Sequence, residues 1–119
     1  MRGWAEINFD GAARENPGLV GIGCIINDDR GQSIAKKEMT ISPTSNNLAE
    51  LRALEEGLKL CHHLSLTKIV IEGNSQIILN VIRNRVTPNW VLNSKLEEVI
   101  SLIDRFEDIG ICHIYQEGN

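Results

Sequence analysis

The 119 residues are 42% apolar and 24% charged, ordinary values for one globular domain. A net charge of −4, from 12 Lys and Arg against 16 Asp and Glu, excludes a strong sequence-blind grip on nucleic acid through a Lys/Arg surplus, so any such contact must come from a local arrangement. No apolar run approaches the roughly 18 residues that span a bilayer, and Met1-Arg2-Gly3-Trp4-Ala5-Glu6 has no apolar leader; an intracellular protein, cytoplasmic or nuclear, with no membrane partner is expected.

Trp4 to Asp10 alternates in polarity and predicts a strand. Gly11 to Gly18 holds an Asn16-Pro17-Gly18 turn, Val20 to Asn27 predicts a second strand, and Asp28-Asp29-Arg30-Gly31 suits a hairpin into a third, Gln32 to Ile41. Thr44 or Ser45 then caps a helix that carries Leu51, Leu54, Leu58 and Cys61 on one face. Lys68 to Glu72 is rich in β-branched residues, as in a strand covered on both faces. Asn74 or Ser75 caps a short helix to about Arg83, and Pro88 closes the connection that follows it. Ser94-Lys95-Leu96-Glu97 has the capping-box pattern, opening a helix that buries Leu96, Val99, Ile100, Ile103 and Phe106. Gly110 ends that helix, and Ile111 to Tyr115 predicts the last strand.

The order β-β-β-α-β-α-α-β predicts an α/β domain over residues 1–119. Its mixed five-stranded sheet has three antiparallel strands and then parallel additions by right-handed crossovers, with helices flanking the sheet. No helix follows the last strand, which leaves a sheet face uncovered and open to self-association or a protein partner.

Cys24, Cys61 and Cys112 form no C-x-x-C pair and are read as buried, reduced thiols. His62 and His63 suit the negative end of their helix. Gly18, Gly21 and Gly23 lead into a strand and not a helix, so they are not read as a phosphate cradle.

Three polar positions stand out. Asp10 ends an otherwise apolar strand, Glu50 lies early in the long helix beside Asn46 and Asn47, and Asn74 follows the buried-looking strand. Singly they are a turn residue, a helix-dipole residue and an N-cap. In the predicted sheet the first and fourth strands are neighbours under the long helix, which brings all three to one point.

Asn8-Phe9-Asp10-Gly11-Ala12-Ala13-Arg14-Glu15-Asn16-Pro17-Gly18 resembles F-D-G-A-x-x-G-N-P-G, the first motif of the ribonuclease H-like domains, above all those of plant retroelement-derived proteins. Ser45-Asn46-Asn47-Leu48-Ala49-Glu50 is similar to T-N-N-x-A-E, with A-L-x-x-G-L following in Ala53 to Leu58. Ile71-Glu72-Gly73-Asn74-Ser75 is similar to V-E-x-D-S, and Tyr115 to Asn119 to the segment before the family's A-D-x-L-A helix. The resemblance implies the ribonuclease H fold and a site that hydrolyses the RNA strand of an RNA–DNA hybrid. It also implies carboxylates that hold two Mg²⁺ ions about 3.5–4 Å apart. By it, Asp10, Glu50 and Asn74 are the catalytic positions and Asp10 and Glu50 the metal ligands. Gly11, Ala12, Asn16, Asn46, Asn47 and Ser75 would touch RNA–DNA hybrid or double-stranded RNA, weakly.

The resemblance is incomplete. Asn74 stands where the family has Asp, Glu15 stands where its turn has Gly, and the fourth carboxylate, carried by the A-D-x-L-A segment, is missing. Cleavage is therefore expected to be impaired or lost. The alternatives are a non-catalytic interaction or structural domain of a larger protein, or a trimmed or mutated form of an active ribonuclease H.

Overall fold

The computed structural model describes residues 3–13 and 19–114, without the side chains of residues 12 and 13. Its elements are β1 (Ala5–Ala13), β2 (Val20–Asn27), β3 (Ser33–Ile41), α1 (Asn46–His63), β4 (Lys68–Gly73), α2 (Gln76–Asn84), α3 (Trp90–Ile103) and β5 (Asp108–His113). The strands form one sheet in the order β3-β2-β1-β4-β5, with β1 to β3 antiparallel and β4 and β5 added in parallel. The mixed five-stranded architecture is the one predicted, and β1 is its central strand.

Alternation decides which sheet face is covered. Ala5, Ile7 and Phe9 of β1, Val20, Ile22, Cys24 and Ile26 of β2, and Ile69 and Ile71 of β4 are buried beneath the helices. On the helix side, Leu51, Leu54, Leu58 and Cys61 of α1 meet them, each with no exposed surface. The opposite face, with Glu6, Asn8 and Asp10 at its centre, carries no helix among the described residues. No helix is long and apolar enough to cross a membrane among those residues.

The structure moves three boundaries of the sequence prediction and decides a fourth between its two alternatives. First, β1 runs on past Asp10, because Gly11, Ala12 and Ala13 pair with Ile22, Gly21 and Val20 in place of starting a loop. Second, the α2 N-cap is Ser75, whose Oγ accepts from Ile78 N at 3.3 Å; Asn74 lies one residue outside the cap. Third, α3 starts at Trp90, capped by Asn89, whose Oδ1 accepts from Val91 N at 2.9 Å. The Ser94–Glu97 capping box is therefore helix interior, and Glu97 instead accepts from Asn93 Nδ2 one turn back at 3.3 Å. Fourth, α3 ends at Ile103 and Gly110 lies inside β5, paired with Val70. Phe106 turns the chain by stacking on His62, with ring centroids 3.9 Å apart, and Glu107 N donates to Thr67 O at 2.9 Å to start the β4–β5 ladder. Ile100 is half-buried, on the flank of the α3 apolar stripe.

The cysteine reading holds for two of three. Cys24 and Cys61 are buried free thiols, and burial pushes Cys24 up and Cys61 up to about 12, so both stay protonated and inert. Cys112 is exposed, because its place in β5 faces the side without helices.

Candidate active site

Glu50 is the centre of the arrangement. Three acidic residues of α1 are buried: Glu50, Glu55 and Glu56. Burying a carboxylate is costly unless a cation or donors compensate it. Glu55 accepts from Lys95 Nζ at 3.2 Å, and Glu56 from Lys37 Nζ at 2.8 Å, with Arg52 flanking both. Glu50 has no cationic partner among the described residues. Its Oε1 accepts from Gly11 N at 3.2 Å, and its Oε2 is buried with no hydrogen-bond partner.

Gly11 explains how a helix carboxylate reaches the central strand. A Cβ at that position would lie 2.5 Å from the backbone carbonyl of Ala49 and 2.9 Å from Glu50 N, so only glycine lets β1 and α1 approach this closely. The same approach points the Gly11 N–H at Glu50.

Burial raises the Glu50 carboxyl to about 7; the Gly11 N–H draws it down and the neighbouring Asp10 carboxylate adds to the rise. Near neutral pH, Glu50 is thus a half-protonated carboxyl beside a second carboxylate. Asp10 is exposed, and the burial cost falls on Glu50.

Asn74 completes the corner. The last described β1–β4 pair is Asn8 with Glu72, and two residues further along these adjacent parallel strands stand Asp10 and Asn74, both exposed. Asp10 is thus the electrostatic neighbour of Glu50, and Asn74 follows the end of β4 on the adjacent strand, level with Asp10 by the register. No group of three or more His, Cys, Asp and Glu side chains suited to a metal occurs among the described residues.

The positions assigned to nucleic acid separate into groups. Asn46, exposed, and Asn47, half-buried, open α1 behind the Ser45 cap, one turn before Glu50. Gly11 and Ser75 commit a polar group internally, the first to Glu50 and the second to the α2 cap. Ala12 pairs through its backbone with Gly21, and Asn16 lies outside the described residues, as does Glu15. One participant was not legible in the sequence: His113, at the end of β5, donates from Nε2 to the backbone oxygen of Asn74 at 3.1 Å.

A family model described as reverse transcriptase-like matches residues 8–119, nearly the whole chain. The chain belongs to that family. Among curated relatives, Ribonuclease HI of Halobacterium salinarum is 29% identical over 116 residues, 93% of this chain and 56% of its own length. A protein of Arabidopsis thaliana named a ribonuclease H protein is 26% identical over 117 residues, 98% of this chain and 19% of its own length. The chain thus spans about half or less of these two relatives. The solved ribonuclease H1 of Halobacterium salinarum superposes with a TM-score of 0.87 at 28% identity, covering 95% of this chain and 86% of that one. LC11-RNase H1 in complex with an RNA/DNA hybrid gives a TM-score of 0.84 at 28% identity, covering 97% and 88%. The fold is the ribonuclease H fold, and the reverse transcriptase-like chain is a ribonuclease H-like domain.

Proposed function

We propose that this ribonuclease H-like domain holds RNA–DNA hybrid or double-stranded RNA weakly at the Asp10–Glu50–Asn74 corner, around at most one weakly bound Mg²⁺, with cleavage impaired or lost. Glu50 carries the reading: it is a buried carboxylate with an orphaned oxygen and a neighbouring carboxylate, and no cation among the described residues offsets its charge. A hard divalent cation suits that donor set of carboxylate oxygens. Two such ions do not, because Asp10 and Glu50 bring two negative charges against four and Asn74 brings none.

Asp10 and Glu50 would hold the ion, and Gly11 N–H fixes which Glu50 oxygen remains available. Bound there, the ion would neutralise charge on a phosphate drawn to the site. Asn74 presents a neutral amide where a carboxylate would be needed to hold a second ion, and that loss supports binding without efficient cleavage. Asn46 and Asn47, opening α1, are suited to sugar-phosphate contact without net positive charge, in keeping with a chain of net charge −4. The hybrid in the LC11-RNase H1 crystal supports that ligand class.

Calorimetric titration with Mg²⁺ at pH 6 and pH 8 tests the reading. One weak site is expected, tighter at pH 8 because the metal competes with the Glu50 proton. Two tight sites, or a single site unaffected by pH, contradict it.

The sheet face without helices supports a second reading, an interaction domain acting through that face. Ile25 is 40% exposed and Ile34 45% exposed on β2 and β3. Sedimentation at rising concentration decides whether the domain self-associates there.

A further inference from the structure

We propose that His113 is a positioning residue, holding the peptide of Asn74 so that side chain 74 is presented to Asp10 and Glu50 in one fixed direction. The proposal rests on the reading of these three residues as one site.

The backbone on either side of Asn74 is held by separate devices. Gly73 closes the β4–β5 ladder opposite His113, and its carbonyl accepts from Ile114 N at 2.8 Å. Gly73 also lies against the Phe9 ring so closely that a Cβ would be 2.9 Å from Cε1 and Cζ. On the other side, Ser75 is fixed by α2: its Oγ accepts from Ile78 N at 3.3 Å and its carbonyl from Leu79 N at 3.0 Å. Between them, the Asn74 carbonyl accepts from His113 Nε2 at 3.1 Å. A carbonyl can only accept, so the imidazole must carry its proton on Nε2.

That bond sets the tilt of the peptide joining Asn74 to Ser75, and with it the direction in which the Asn74 Cα–Cβ bond leaves the backbone. The Asn74 side chain is exposed, so neighbouring packing does little to fix it. A site group held through its backbone is pre-oriented whatever its side chain, amide or carboxylate. His113 reaches across from an edge strand, 39 residues away in the chain, to do this.

Two measurements on the 119-residue chain test the assignment. In the first, NMR follows the Asn74 side-chain amide, assigned by its loss in Asn74→Asp, and the Ser75 backbone amide. His113→Ala should shift both signals and lower the heteronuclear NOE of the Asn74 amide, while His113→Gln, which keeps an N–H donor, should restore them. Signals unmoved by His113→Ala overturn the proposal. In the second, Mn²⁺ binding is read by water-proton relaxation. Asn74→Asp should bind Mn²⁺ about tenfold more tightly than the wild-type chain, adding His113→Ala should remove most of that gain, and adding His113→Gln should not, in line with the losses of about tenfold or more seen when groups that orient ligands are removed. A gain that survives His113→Ala overturns the role of His113. Absence of any gain in Asn74→Asp contradicts the proposed site instead, and the amide signals then still decide for or against His113.

Discussion

Glu50→Gln should make this protein more stable at pH 8. In the folded chain the Glu50 carboxyl is raised from 4.5 to about 7, chiefly by burial. Between those values the folded state keeps a proton that the unfolded chain releases, so the stability tied to that proton is complete below about pH 4.5 and is lost as pH rises to about 7. At about 1.4 kcal/mol per unit, a rise from 4.5 to about 7 makes the loss about 3 kcal/mol at most, and water entering the site reduces it. Gln keeps an oxygen for the Gly11 N–H and turns an N–H₂ toward the Asp10 carboxylate, where the native chain has two acids side by side. The variant should gain about 1–3 kcal/mol at pH 8, or roughly 4–12 °C in Tm for a domain of this size, and nothing at pH 4.5. Glu72 is raised as well, by burial and by Glu6, so it gives both proteins the same downward slope. The difference between wild type and variant isolates Glu50. Thermal unfolding followed by circular dichroism from pH 4.5 to 8 is the assay. A difference that does not grow with pH, or a variant less stable at pH 8, would refute the reasoning that Glu50 is an uncompensated buried acid.

Gly11→Ala should destabilise the fold by about 1–3 kcal/mol in urea titrations, because the new Cβ meets the Ala49 carbonyl at 2.5 Å and forces β1 away from α1. The same variant should also lose most Mg²⁺ binding, since the N–H that orients Glu50 moves with the strand. Hybrid affinity should fall only shallowly as salt rises from 50 to 200 mM, because a chain of net charge −4 neutralises few phosphates; a steep slope would reveal a basic surface that the charge distribution does not predict.

The fold was legible because its signals are local and agree with one another. Alternation marked the first strand at Trp4 to Asp10, helical spacing put Leu51, Leu54, Leu58 and Cys61 on one buried face, and three closely spaced strands followed by alternating helices left few topologies. The errors came where two local signals competed. Asn89 and Ser94 are both good caps, and the chain uses the earlier one, directly after Pro88; Gly110 resembles a helix stop but sits within a strand. At the site, the three residues could be named from sequence, while their division of labour could not. Which carboxylate is buried depends on the close approach that Gly11 allows. Glu55 and Glu56 find cations on α3 and β3 that only folding brings near, which leaves Glu50 distinguished from its neighbours. His113 gave no signal at all, because its bond is to a backbone atom, and side-chain spacing carries no trace of that.

The most direct test of the central claim, a ribonuclease H-like site that binds without efficient cleavage, is incubation of the 119-residue chain with a labelled RNA–DNA hybrid in Mg²⁺, beside Asp10→Asn as the control for contaminating nuclease. The wild-type chain should retain the hybrid, and the RNA strand should stay intact in both samples. Cleavage by the wild-type chain that Asp10→Asn abolishes would contradict it, showing that two carboxylates and the Asn74 amide suffice for the chemistry.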